Sequence, residues 1–411
     1  MIELPASPTS RDPETDLLLA LARALHRAGF PAPRLEAALA AVARHLGLEG
    51  EFFSTPTSLF AALGRGGDRR TFLLRVEPAA VDLGRLAALD GLIGDLMQGR
   101  VPPADGARRV RDISEAKPPH RPALAVLCYC LASSTSAVFL GGGRHEVEAA
   151  AGIGLVTGAL ALAADRWRTA QRVFEPLAAM LAAFLATAAA HWMPPLSIYI
   201  ATVAGLIVLL PGFTLTTALS ELAQRHLSSG TSRFAGAVTA FLMIGFGVAA
   251  GSRLAEGLLG APAIDLPSAG AAWGEAVALL VAPLALVVLT RAPFSEAPWV
   301  VVAGAIGFFG GRFGTEVISP ELGMFVGALG VGLASALYAR LRHQPPEIVQ
   351  VPGILMLVPG SIGYRSLSSL LERNVVLGVE TAFKMILVAT SLVAGLVAAN
   401  ILVPARRRWS E

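Results

Sequence analysis

The chain has 411 residues, of which 54% are hydrophobic and 15% charged, and its mean hydropathy is +0.61. Soluble domains carry roughly 25% charged residues, so the composition excludes an ordinary water-soluble protein. The formal net charge of +3 is small, and the basic residues of the first domain are spread along it rather than clustered, which gives no nucleic-acid-binding footprint.

The charges gather at one end. Residues 1–121 hold 16 basic and 15 acidic side chains, and the rest is a series of apolar runs. This predicts a small soluble α+β unit with a linker over 1–121, followed by an all-α polytopic membrane region. Met1–Asp16 is polar and lacks a signal-peptide pattern, so the first apolar run is expected near Pro122. Within the soluble unit, helical periodicity covers Leu17–Ala28, stopping at Gly29, and Leu35–Leu46, stopping at Gly47. Phe52–Leu63 and Thr71–Val76 read as strands around a Gly64–Arg70 turn, and Leu83–Met97 as a third helix. Lys117, Pro118, Pro119 and Pro122 mark the linker. His26 and His45 read as surface or hydrogen-bonded histidines, and no nucleophile–base pair or phosphate loop is visible. The only cysteines, Cys128 and Cys130, sit inside the first apolar run; two cannot complete a zinc site, so no metal or cofactor is expected.

Ten segments are long and apolar enough to be candidate spans. They are Ala123–Leu140, Val147–Ala164, Pro176–Trp192, Leu196–Leu210, Phe234–Leu254, Trp273–Thr290, Ala297–Gly311, Leu322–Leu341, Ile348–Ile362 and Val375–Val403. Arginine placement orients them with both termini in the cytoplasm. Arg166, Arg168, Arg172, Arg225, Arg233, Arg291, Arg340, Arg342 and Arg406–Arg408 then fall inside, while Arg144, Arg312, Arg365 and Arg373 fall outside against the rule. All five tryptophans (Trp167, Trp192, Trp273, Trp299, Trp409) lie at predicted helix ends.

Shifting the sequence on itself by 148 positions lays Val203–Gly230 over Val351–Gly378 without a gap, with ten identities in 28 positions, among them Pro211/Pro359, Gly212/Gly360, Arg225/Arg373 and Gly230/Gly378. Each half then holds five spans, over 122–256 and 273–403, joined by an extracytoplasmic loop at 257–272 and followed by a tail at 404–411. Five is odd, so the second half enters from the opposite side, giving two inverted five-helix repeats. Proline removes a backbone donor and glycine tolerates unusual dihedrals, so each Pro-Gly pair breaks a helix. Lipid cannot satisfy the backbone groups freed there. The breaks are therefore expected against protein or a hydrated cavity, where helix N-termini can hold a carboxylate.

The run Leu209–Gly230, with Pro211, Gly212, Phe213, Glu221, His226 and Gly230, resembles the signature of the threonine/serine exporter family. Val351–Leu367 is similar to the matching segment of that family's second half. The resemblance covers nearly the whole chain. It implies export of small amino acids such as threonine and serine, driven by an ion gradient; some split relatives are associated with dicarboxylate export.

The candidate substrate-binding residues are Ser133, Ser134, Thr135 and Ser136, whose hydroxyls lie mid-span, and the breaks Pro211, Gly212, Pro359 and Gly360. Candidate coupling or gating residues are Glu221 and His226, Arg365 beside the second break, and the Glu380–Lys384 pair in the tenth span, where a charge must be offset. A surface Glu221–Arg225 pair is the plainer alternative for the first of these. The glycines Gly154, Gly158, Gly304, Gly307, Gly311, Gly323 and Gly327 read as helix-packing positions. The expectation is a proton-coupled exporter working in a lipid bilayer, with homo-oligomerisation left open. Rival readings are a dicarboxylate exporter, a membrane sensor, or a membrane-embedded enzyme; no HExxH or GxSxG supports the last.

Overall fold

The computed structural model describes residues 12–66, 68–77, 80–166, 171, 173–260, 266–268, 274–320, 322–358, 360–371 and 374–404. Trp167, Arg168, Arg172, Trp273, Pro359, Arg373, Arg406–Arg408 and Trp409 lie outside the described residues.

The N-terminal unit begins with α1 (Pro13–Arg27) and α2 (Ala32–His45), each with a proline in the first turn, where a missing N–H costs nothing. Three strands rather than two follow: β1 (Glu49–Ser54), β2 (Ser58–Arg65) and β3 (Asp68–Arg75), antiparallel in the order β1-β2-β3. The stretch Phe52–Leu63, expected as one strand, turns at 55–57, where the Ser58 amide is held by Thr55 Oγ1 at 3.1 Å. Helix α3 (Leu83–Met97) forms as expected, capped by Asp82, whose carboxylate accepts from the Arg85 amide. A fourth helix, α4 (Pro103–Glu115), was not foreseen; it buries only Gly106, Ala107 and Val110, so its apolar stripe is thin.

The apolar region contains α5 (Pro122–Phe139), α6 (Arg144–Ala164), α7 (Phe174–Trp192), α8 (Ile198–Gly205), α9 (Gly212–Ala223) and α10 (Leu227–Leu259). It continues with α11 (Gly274–Leu289), α12 (Ala297–Val317), α13 (Met324–Arg342), α14 (Glu347–Leu355), α15 (Gly360–Leu371) and α16 (Val375–Leu402). Among the described residues, eight helical segments are long and apolar enough to cross a membrane, α14 and α15 together counting as one. Two of the ten expected spans fall short: α11 has 16 residues, and the fourth segment is helical only over the eight residues of α8 before Leu206–Leu210 turns.

The 148-residue shift reappears in the fold. It lays α9 onto α15 end for end and the start of α10 onto the start of α16. Backbone bonds match too: His226 N to Glu221 O and Asn374 N to Ser369 O are both 2.9 Å. So does packing: Gly230 lies against Leu222, and Gly378 against the equivalent Leu370. Between the halves, α5 packs on α11, α9 on α16 and α10 on α15. Exchanging the halves maps this set of contacts onto itself.

Two buried polar knots mark the bundle's faces. On one, Glu146 accepts from the backbone amides of Gly143 (2.9 Å), Ser197 (2.8 Å) and Ser268 (3.0 Å), as well as from the Ser268 hydroxyl. This gathers the starts of α6 and α8 with residues 266–268. The other face carries the N-terminal unit, which meets the end of α9, His226 just before α10, the end of α11 and the start of α14. Helix α8 thus begins at the Glu146 knot, whereas α14, its equivalent under the shift, begins against the N-terminal unit. The core of the N-terminal unit continues into the bundle: Leu17, Leu35 and Leu83 share one buried cluster with Val287, Ala292 and Val300.

Candidate functional site

The two helix interruptions meet. A Cβ placed on Gly212 would collide with the Val358 side chain and stand 2.9 Å from the Gly360 nitrogen and 3.0 Å from its Cα, so only glycine allows this approach. Around the meeting point lies a cavity of about 890 Å³. Its wall includes Pro211, Thr214 and Thr217 from the first break, Leu357, Val358, Gly360 and Ser361 from the second, and Thr135 and Ser136 from α5. Gly29, Pro31, Val81 and Leu86 of the N-terminal unit line it as well, so that unit forms part of its wall.

The four hydroxyls expected at the site divide. Thr135 and Ser136 line the cavity, although Thr135 also donates to the Leu131 carbonyl at 2.8 Å. Ser133 is fully buried toward α6 and α8, with its Oγ 3.5 Å from the Gly205 carbonyl. Ser134 donates to the Cys130 carbonyl of its own helix at 2.8 Å. Of the break residues, Pro211 and Gly360 are on the wall and Gly212 lies behind it against Gly360; Pro359 lies outside the described residues.

Glu221 is completely buried, and its partner is Arg233 rather than Arg225. Arg233 Nε and Nη2 donate to its two carboxylate oxygens at 3.1 and 3.2 Å, the forked geometry that guanidinium favours. Ser229 donates to the same carboxylate at 2.8 Å and the Ala32 amide at 3.1 Å. Arg225 takes a left-handed backbone (φ 65°) at the turn between α9 and α10. His226 Nδ1 stands 3.5 Å from Glu36 Oε2. Burial holds the Glu36 carboxyl above its ordinary range, against the Ser54 amide that favours its charge. Burial likewise pushes His26 down, against its contact with the Thr55 carbonyl. Arg34 of α2 reaches Asp90 at 3.2 Å and pairs with Glu347 at the start of α14, tying the N-terminal unit to the second half.

Arg365 is exposed on α15 and is not on the cavity wall. Lys384 and Glu380 pair at 2.8 Å on the outward face of α16, beside Val376 (80% exposed), Val379 and Phe383, away from the cavity. Sequence reasoning missed Glu146, Arg233 as a partner, and the lining residues of the N-terminal unit. Glu146 carried one readable signal, an acid in the first turn of an apolar helix. The others depend on contacts between distant segments.

Among the described residues, eight membrane-length helical segments, with paired interruptions around one cavity, define a polytopic membrane protein. A threonine/serine exporter family profile matches residues 16–255, and a second, described as Threonine/Serine exporter, ThrE, matches residues 275–402. The chain belongs to the threonine/serine exporter family. Among curated proteins it is 27% identical over 360 residues to a pheromone-regulated membrane protein 10 of Candida albicans, covering 85% of this chain and 33% of the relative. The Debaryomyces hansenii protein of that name is 26% identical over 381 residues (90% and 37%), and the Eremothecium gossypii one 25% over 370 (87% and 50%). The chain thus spans a third to a half of the length of these relatives. No solved structure is significantly similar to it.

Proposed function

We propose that the protein is a secondary active exporter of small amino acids of the threonine/serine type, working by proton antiport across the cytoplasmic membrane with both termini inside. The observation that carries this reading is the contact of Gly212 with Gly360 at the wall of one cavity. Interrupted helices in a membrane survive where the freed backbone groups meet water or a ligand, and paired interruptions are where secondary transporters bind solute. The start of α8 at the Glu146 knot and that of α14 against the N-terminal unit support an inverted pair of five-helix halves, over 122–256 and 273–403. Rocking of one half against the other would then open the cavity to each side in turn. The cavity-lining hydroxyls of Thr135, Ser136, Thr217 and Ser361 suit a small hydroxy amino acid.

The family membership points to transport rather than to an enzyme. Dicarboxylate export is the rival. Its expected cations do not favour it: Arg365 and Lys384 are off the cavity, and the described cavity arginines, Arg233 and Arg312, each hold a glutamate. The test is efflux of labelled threonine, serine and succinate from proteoliposomes under an imposed pH gradient. Gradient-dependent threonine or serine efflux supports the proposal. Efflux of succinate alone, or none that depends on protein and gradient, sinks it.

A further inference from the structure

We infer that Glu175, on α7, is the cation-accepting group of the cavity, carrying a proton when the cavity is empty and exchanging it for the ammonium group of an amino acid. This rests on the exporter reading and names the residue that would couple its two fluxes.

Five charged side chains line the cavity: Glu175, Arg233, Glu275, Arg312 and Glu347. Four are neutralised by partners. Arg233 holds Glu221, Glu275 and Arg312 face each other at 3.2 Å, and Glu347 pairs with Arg34. Glu175 alone has no hydrogen bond or ion pair among the described residues. It sits in the first turn of α7, an alanine-rich apolar helix, and its cavity is mostly apolar in lining. An uncompensated carboxylate in such a place is expensive, and two species can relieve it: a proton or a bound cation.

Those two compete for one group. When an ammonium arrives, the carboxyl O–H breaks, its proton leaves to water on that side, and the carboxylate pairs with the ammonium. Charge balances throughout. When the ammonium leaves on the other side, a proton from that side replaces it. One carboxylate thereby yields antiport without a separate proton path. The hydroxyls of Ser136 and Thr217 on the same wall are left for the ligand's carboxylate, and Thr135, whose proton goes to the Leu131 carbonyl, can still accept from the ligand's hydroxyl.

The elements packed on α7 are α6, α8 and α10. On α6, Arg144 pairs with Glu148 and Glu146 is locked in its knot at the far end; Asp165 and Arg166 follow its near end. Tyr199 is the ionisable group of α8. On α10, Arg233 is held by Glu221, and Arg253 pairs with Glu256. His191 stands at the other end of α7, where its ring meets the Thr187 carbonyl. Arg172, one turn before Glu175, lies outside the described residues.

The test is proton release on binding. Purified full-length protein in weakly buffered detergent solution, with a pH-sensitive dye, is titrated with threonine, with 1-amino-2-propanol as an ammonium lacking the carboxylate, and with succinate. The wild type should release about one proton per threonine, and below the carboxyl's pKa affinity should fall about tenfold per pH unit. Glu175→Gln should abolish the release, and Glu175→Asp should keep it with a shifted pH profile. In the wild type, dicyclohexylcarbodiimide, which attacks protonated carboxyls in apolar surroundings, should label Glu175, and threonine should protect it; this arm needs no variant to fold. Threonine binding without proton release, release unchanged in Glu175→Gln, or no label on Glu175 would overturn this inference and leave the exporter reading standing. Binding of succinate but of neither ammonium compound would overturn both.

Discussion

Glu221 Oε1 accepts a hydrogen bond from the Ala32 amide at 3.1 Å, joining positions 189 apart in the chain and fastening the first turn of α2 to the end of α9. Arg233 and Ser229 complete the same carboxylate's shell. Glu221→Ala would strand a largely buried guanidinium, and breaking one side of a buried pair costs about 3–5 kcal/mol. Glu221→Gln keeps one acceptor and should cost less. The expected outcome in Glu221→Ala is a lower melting temperature and faster amide hydrogen exchange over residues 29–36 before the bundle loosens. Exchange there at the wild-type rate would show that the carboxylate does not hold the unit.

The glycine contact at the breaks predicts a reversible lock. In a background with Cys128 and Cys130 replaced by serine, Leu210→Cys with Gly360→Cys spares Gly212 and places two thiols across the breaks, where a Cβ on Gly360 would lie 3.2 Å from the Leu210 Cβ. Oxidation should join them and stop flux, and reductant should restore it. Flux through the oxidised, cross-linked protein equal to that of the reduced protein would mean that the breaks need not separate during transport. Gly212→Val should be inactive under both conditions, because its side chain meets Val358 and Gly360 backbone.

The N-terminal unit should weaken as pH falls. Burial lowers the His26 pKa below its ordinary 6.5, so the unfolded chain takes up a proton that the folded chain refuses. The sign follows: stability is fullest above 6.5 and declines as pH drops below it. Glu36 acts in the other direction at lower pH, since its raised pKa lets the folded form accept a proton first, above 4.5. The loss should therefore be steepest between about 6.5 and the window where Glu36 begins to protonate. Hydrogen exchange of α1 and β1 against pH would follow it, with His26→Gln flattening the slope. A slope unchanged in that variant would assign the effect elsewhere.

Much of this arrangement is visible in the sequence where it rests on local chemistry. Pro211-Gly212 and its copy mark interruptions because the backbone physics of proline and glycine is local, and the 148-residue repeat fixes where the second break falls. The docking of the N-terminal unit is not visible. It depends on Arg34 finding Glu347 and Ala32 finding Glu221, and no spacing rule connects segments so far apart. Helix α4 is obscure for another reason: Arg108, Arg109, Arg111 and Asp112 crowd it, and only Gly106, Ala107 and Val110 are buried, so its sequence is charged enough to pass for a linker. Within α5, the run Ser133–Ser136 offers four hydroxyls with nothing to say which side faces the cavity, since that depends on where α6, α8 and α11 pack.

That division of α5 supplies the most discriminating mutations. Ser133 is wedged between helices: a Cβ added at Gly154 would come within 2.7 Å of its Oγ. Ser133→Val should therefore disturb packing at a cost of about 1–3 kcal/mol, as overpacking does, and should lower the melting temperature. The fraction that stays folded should keep its apparent affinity. Ser136 lines the cavity, and Ser136→Ala removes one donor without adding volume, so folding should hold while the apparent KM for threonine rises several-fold. That size reflects a net hydrogen-bond contribution of about 1 kcal/mol. Ser134→Ala should change neither quantity, because its hydroxyl is spent on the Cys130 carbonyl. Melting curves and threonine efflux measured on the same three preparations would separate these effects. A KM shift at Ser133 with none at Ser136 would place the substrate on the other side of α5.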